Sequence, residues 1–409
     1  MSLHFIFGRA GTGKTTRCCR EIQDYLKKNP GSRAYLLVPD QGTYTAEYLL
    51  AKSFPGGGFI DVTVCGFSRL AYRVFQELHS PVADALSPLG QQIILRRLLD
   101  AHKDKLQVIL RAASQPHFSE NLTAFFHQLD MFLVTEDDLF AASQREGETP
   151  LGKKLADLSL LYKAYHDYLR MHFAYEGSLF DLLAREIPKS EKLRGSHIWI
   201  DGFNGMAPQK IRIVSALVHT AAEVTMTLQM DRPEESAENP NFARPYQLYS
   251  QMQGAIRRSS SVVLTEGKRF RASDLALMAR HFFERHARPR PEDGRAKDGL
   301  HLITAASPKE EVDFISRTIT SLVRDKGLRY RDILILSRTP ENYSDLFTRA
   351  FAAYGIPGFI DEKHPMNNHP LVMLTSFLLQ FLAKETSRKN AGWQRLTLFR
   401  LLKTSLLPE

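Results

Sequence analysis

Eight residues near the start of the chain constrain it most: Gly8-Arg9-Ala10-Gly11-Thr12-Gly13-Lys14-Thr15. They fit the pattern GxxxxGK[ST], a loop that works only between a buried strand and the first turn of a helix. The flanks agree with that context. Residues 3–7 form an apolar run of strand length, and residues 15–28 have helical periodicity, ended by Asn29, Pro30 and Gly31. Glycines allow the backbone to turn its N–H groups onto phosphate oxygens, and a helix N-terminus adds partial positive charge. In such a loop Lys14 reaches the β- and γ-phosphates and Thr15 ligates magnesium. All eight residues are therefore candidate contacts for a nucleoside triphosphate, with ATP and Mg the expected pair.

A phosphate loop of this type works with a carboxylate at the end of a second apolar strand, often followed by a glutamate that activates water. Ile198-Trp199-Ile200-Asp201 supplies the first acid. Asp201 is the candidate magnesium ligand beside Thr15, and it also fits a plain turn residue before glycine. Gly202 occupies the usual glutamate position, so no catalytic base is assigned. Arg338 follows the apolar run 333–336 and is a candidate γ-phosphate contact from a second domain, or equally a surface arginine. Glu310 and Glu311 sit at a helix start, where the dipole favours acids. His364 and His369 lack metal-ligand spacing to any cysteine and are read as structural. Cys18, Cys19 and Cys65 form no CxxC pair, which excludes a disulfide scaffold or zinc site and predicts reduced, buried thiols.

Strand and helix signals alternate at both ends of the chain, which predicts an α/β fold with a parallel sheet covered on both faces. Strands are expected at 3–7, 35–38, 62–64, 197–200 and 224–228, then at 300–305, 333–336 and just after Gly355. Between about 87 and 192 strand signals nearly vanish and helical spacing takes over. Phe118, Phe125, Phe126, Tyr162, Tyr165 and Tyr168 are expected to form the core of that helical region. Residues 233–244 and the basic, proline-containing stretch 285–297 read as loops.

The 409 residues suit two or three domains, and the net charge of +9 favours a polyanionic partner. There is no apolar run of bilayer length, and the first residues lack the features of a secretory signal. A cytoplasmic protein with no membrane partner is expected.

Several stretches in order resemble one family. After the loop come Leu37-Val38-Pro39-Asp40-Gln41, Phe67-Ser68-Arg69-Leu70-Ala71, Lys154-Leu155-Ala156-Asp157-Leu158 and Ile200-Asp201-Gly202-Phe203. Further on stand Asp332-Ile333 with Arg338, Tyr354-Gly355-Ile356-Pro357, Ile360-Asp361-Glu362-Lys363 and His369-Pro370-Leu371. The order and spacing resemble the B subunit of AddAB-type helicase–nucleases, bacterial complexes that process double-strand DNA breaks. The resemblance implies a P-loop NTPase of superfamily 1 helicase type, with two RecA-like domains and a helical insertion. On that reading residues 1–86 and 193–230 form domain 1A, 87–192 the 1B insertion, 231–374 domain 2A, and 375–409 the start of a truncated 2B insertion. It further implies ATP and Mg between the two domains, DNA as a partner, an A subunit that carries the main motor and nuclease, and a part in recognising the regulatory Chi sequence. Gly202 in place of glutamate agrees with a degenerate motor that binds ATP better than it hydrolyses it. The family's C-terminal nuclease domain and cysteine-held iron–sulfur cluster are not expected here, because neither the length nor the three cysteines match them. The chain reads as an N-terminal portion of such a subunit. Other readings stay open at this point: a self-sufficient superfamily 1 translocase, a non-catalytic DNA-binding scaffold, or an unrelated phosphotransferase.

Overall fold

The computed structural model describes residues 2–80, 86–113, 115, 117–173, 179–256, 259–270, 272–284, 299–362, 366–386, 403 and 406. The basic stretch 285–297, Lys363 and His364 therefore lie outside the described residues. Two compact units are present, Met1–Leu300 and His301–Glu409.

The first unit is built on one sheet of β1 (Leu3–Gly8), β2 (Ala34–Leu37), β3 (Val62–Cys65), β4 (His197–Ile200), β5 (Glu223–Leu228) and β6 (Ser259–Leu264). Every pairing is parallel, and the order is β3-β2-β4-β5-β1-β6. A parallel sheet needs cover on both faces, so its central strands are apolar throughout rather than alternating with polar residues. Side chains still alternate between faces. Leu3, Phe5, Phe7, Leu37, Ile198, Ile200 and Met226 enter one core, while Ile6, Leu36, Val64 and Trp199 enter the other.

The helices α1 (Lys14–Lys28) and α2 (Thr43–Ser53) cover the second face through Cys18, Ile22 and Leu50. The first face is covered by α3 (Phe67–Leu78) and by helices from later in the chain. Between them in sequence, five helices make a separate layer: α4 (Pro88–Ala101), α5 (Ile109–Ala113), α6 (Phe118–Phe132), α7 (Glu136–Glu146) and α8 (Pro150–Phe173). Phe126, Tyr162 and Tyr165 are buried at its centre, with Phe118, Phe125 and Tyr168 packed against them, as the sequence predicts. The next helix, α9 (Leu179–Glu186), turns back to the sheet and places Leu183 in the sheet core. It joins α10 (Pro208–Thr220) there, followed by α11 (Pro233–Ser236), α12 (Ala243–Ala255) and α13 (Ser273–His281).

Three expectations need correction. Residues 233–244 are not simply a loop: Pro233 and Pro240 each open a short helical turn, a position where proline's missing N–H costs nothing. The strand β6 has no counterpart in the sequence prediction. It pairs along all of β1, so the first unit continues past residue 230 to Leu300.

The third correction concerns the second unit. Its helices α14 (Pro308–Lys326), α15 (Ser344–Tyr354) and α16 (Pro370–Thr386) are present. The predicted strands at 300–305, 333–336 and after Gly355 are not strands among the described residues. Ile333 is extended, but a strand also needs a paired neighbour, and Leu302, Leu334, Leu336 and Phe359 stay exposed. The α14–α15 pair is closed by Val312, Ile319 and Phe347 and by Tyr354 Oη donating to Asp313 Oδ1 at 2.6 Å. Glu310 and Glu311 lie in the first turn of α14, which Ser307 caps. The ring Nδ1 of His369 accepts from the Leu371 N–H, a local turn bond. Among the described residues no helix is long and apolar enough to cross a membrane.

Asp157, on α8, is almost fully buried and accepts N–H bonds from Gln107, Val108 and Ile109, where α5 begins. These N–H groups have no partner inside the helix, so the carboxylate caps α5 from a distant turn. Asp157→Ala leaves buried donors unpaired and is expected to cost about 2 kcal/mol or more, read by urea unfolding of the helical signal. A loss near zero would show that water replaces the carboxylate.

The three thiols are free and buried. Burial pushes Cys19 and Cys65 up to about 11 from an ordinary 9.0, and Cys18 well above that ordinary value. Below pH 9 both folded and unfolded chains keep these protons. Between about 9 and 11 the unfolded chain loses them first, so this contribution to stability falls as pH rises through that window. A thiol reagent at pH 8 is expected to modify none of the three in the native chain and all three in urea. Rapid native labelling would contradict this burial.

Candidate nucleotide site

The glycine loop leaves β1 at Gly8 and enters α1 at Lys14. Gly11 and Gly13 have φ of 82° and 89°, in the left-handed region that side chains avoid. Gly13 is the N-cap of α1 and provides no side-chain cap, so the first N–H groups of α1 are left for another acceptor. That arrangement follows from the sequence: a serine or aspartate cap would occupy the place of an anion.

Lys14 folds back over its own loop. Its Nζ donates to Gly8 O at 2.6 Å and to Arg9 O at 3.0 Å. Burial lowers its pKa, partly opposed by the nearby carboxylate of Asp201. A half-buried ammonium held by two neutral carbonyls favours an incoming anion. Thr12 closes the loop by donating Oγ1 to Arg9 O at 2.9 Å.

Strand order brings Asp201 to this loop. It follows β4, and its N–H donates to Leu37 O at the end of β2. Between β4 and β1 lies β5, whose Thr227 donates to Asp201 Oδ1. Thr15 Oγ1 donates to Asp201 Oδ2 at 2.6 Å. One carboxylate thus joins the loop, β4 and β5, and it is 6% exposed. A hydroxyl and a carboxylate are hard oxygen donors of the kind magnesium takes. Among the described residues no group of three or more His, Cys, Asp or Glu is placed to hold a metal ion, so a metal here would draw its remaining ligands from phosphate and water.

Gly202 is more than a missing glutamate. Its φ is 83°, and an added Cβ would stand 3.4 Å from Pro39 Cδ. A side chain at this turn is strained whatever its chemistry.

The predicted residues Gly8 to Thr15 and Asp201 converge in the first unit. Arg338 belongs to the second unit, in a bend after residue 336, with its side chain exposed. Sequence reasoning missed Thr227, whose only signal is a hydroxyl among apolar neighbours in β5. It also missed the segment after β6, where the Lys268 N–H donates to Gly11 O at 2.9 Å. Beside it, Thr12, Gly13, Arg17, Arg20 and Lys268 help line a cavity of about 520 Å³. A cavity of about 640 Å³ lined by Asp130, His166 and Arg170 is larger, but it has no phosphate-type loop.

Gly202→Glu is expected to lower stability by about 1–2 kcal/mol in urea unfolding, because the left-handed backbone must be kept or broken. A neutral substitution would show that this turn relaxes freely.

Comparison with known proteins points to one family. A family model described as "ADDB, N-terminal" matches residues 5–278. The B subunit of the ATP-dependent helicase/deoxyribonuclease of Pelotomaculum thermopropionicum is 35% identical over 100% of this chain and 36% of its own length. The proteins of the same name from Geobacillus kaustophilus and Bacillus subtilis are 34% and 33% identical, each over 100% of this chain and 35% of their own length. The chain thus spans about a third of the length of these relatives. With the family model and whole-chain relatives in agreement, the chain belongs to the AddB family, the B subunits of ATP-dependent helicase/deoxyribonucleases.

Proposed function

We propose that this chain binds ATP with magnesium at the loop Gly8 to Thr15 and serves as a DNA-engaging, helicase-like part of a helicase–nuclease that repairs double-strand breaks. The observation that carries this reading is the Thr15–Asp201 bond beneath an uncapped helix N-terminus. These are the two oxygen donors a magnesium–phosphate group needs, already held together. Lys14 and the first N–H groups of α1 would hold the phosphates, and Thr15 with Asp201 would hold the metal. The bound metal would neutralise phosphate charge, while the cavity beside Arg17 and Lys268 offers room for the rest of the nucleotide.

On this reading the first unit is a RecA-like domain, in which a strand separates the loop strand from the acid strand, as β5 does here. The names of the relatives support work in a complex with a second subunit and DNA, and the net charge of +9 suits a phosphate backbone. A role in reading Chi within the unwound strand belongs to the same proposal. Hydrolysis is the weak function. The turn at Gly202 offers no base, and its left-handed backbone disfavours one.

ATP binding and turnover are measured on the 409-residue chain with and without single-stranded DNA, beside Lys14→Ala. The expected result is nucleotide binding weakened about tenfold or more by Lys14→Ala. Turnover is expected below about 0.01 s⁻¹ even with DNA, against ~10 s⁻¹ for a typical enzyme. DNA-stimulated turnover that depends on Lys14 would make the chain a motor in its own right. No nucleotide binding at all would leave a scaffold whose loop only shapes the fold.

A further inference from the structure

Arg9 is the second residue of the glycine loop, yet its side chain leaves the loop. Its guanidinium donates through Nε and Nη2 to the two carboxylate oxygens of Asp231, at 2.8 and 2.7 Å. Through Nη1 it also donates to Ala279 O at 3.2 Å and Arg280 O at 2.5 Å. Those carbonyls belong to the last turn of α13, whose C-terminal end carries partial negative charge. The Phe242 and Phe283 rings lie against the same guanidinium, with centroids 5.9 and 5.7 Å away. The Asp231 bonds hold its pKa above the ordinary arginine value. A planar fork that serves one carboxylate and two carbonyls at once is something lysine cannot supply.

The backbone of the same residue faces the other way. Arg9 O accepts from Lys14 Nζ and from Thr12 Oγ1, the groups that close the loop on itself. A phosphate that takes Lys14 must release the Arg9 carbonyl while the guanidinium stays gripped. The partner Asp231 stands four residues after Thr227, which holds Asp201, so the exit of β5 anchors both the acid and the loop. Among the described residues α13 is the last helix of the first unit, which ends at Leu300.

We propose that Arg9 is a positioning residue that couples phosphate occupancy of the loop to the C-terminal turn of α13. The proposal rests on the nucleotide reading above and adds a route by which occupancy is felt elsewhere in the first unit. A rigid loop pinned at Arg9 passes its rearrangement to the residues that hold the pin, rather than absorbing it locally.

The test is hydrogen–deuterium exchange of the full chain with and without a saturating magnesium complex of a non-hydrolysable ATP analogue. Wild type is compared with Arg9→Ala, Arg9→Lys and Asp231→Asn, each first checked for native melting. In wild type the analogue is expected to change exchange across residues 273–284. In Arg9→Ala and Asp231→Asn that response disappears at saturation, and the nucleotide Kd rises about tenfold. Arg9→Lys keeps a charge opposite Asp231 but not the two carbonyl bonds, so it recovers affinity in part and not the response at 273–284. The proposal is overturned if wild type binds the analogue without any change at 273–284, or if both disrupting variants keep the wild-type affinity and response. If Arg9→Ala melts early, Asp231→Asn carries the same comparison. A wild-type chain that binds no nucleotide overturns the reading of the site, and this coupling with it.

Discussion

The site depends on one carboxylate. Asp201 stands at the end of β4, two strands from the loop, and reaches it only because β5 lies between and supplies Thr227 as a second support. A parallel sheet places all strand ends that precede its helices on one edge, so residues far apart in sequence meet there. The 186-residue separation between Thr15 and Asp201 holds the strands β2 and β3 and then the separate layer of helices, after which α9 returns the chain to the sheet. Removing the sheet order would leave a glycine loop without its acid.

Around that carboxylate stand a lysine and the N-terminus of α1. Lys14 is half-buried and satisfied by carbonyls of its own loop, and the first turn of α1 has no side-chain cap. Both features are unfavourable in isolation, because partial burial of an ammonium and helix N–H groups without an intrahelical partner cost free energy. On the proposed reading a bound phosphate would offset both. Gly202 marks the limit of the same design: the turn that presents Asp201 takes a left-handed backbone, which suits glycine and disfavours glutamate.

Much of this was legible in the sequence. Residues 3–7, 197–200 and 224–228 are apolar runs of strand length because a doubly covered sheet requires them, and each is a strand. The aromatic residues of α6 and α8 reveal their layer through helical spacing. The edge strand β6 was not legible, since Ser259, Ser260 and Ser261 are exposed and only the short run Val262, Val263 and Leu264 packs, partly buried, against the two cores. The opposite error arose in the second unit, where apolar runs such as 333–336 look like strands but are unpaired among the described residues. Local pattern reports what a segment can bury, not whether a partner lies beside it. For the same reason the loop and Asp201 were found from motif and strand end, while Thr227 and the long reach of Arg9 to Asp231 were not.

On the proposed reading the self-closed loop opens to a magnesium–nucleotide complex. A crystal structure of the chain grown with magnesium and a non-hydrolysable ATP analogue tests it directly. Lys14 Nζ is expected to leave Gly8 O and Arg9 O for the phosphates, and Thr15 Oγ1 and Asp201 to turn from each other towards the metal. A nucleotide bound elsewhere, with the Lys14 and Thr15 bonds unchanged, would contradict it.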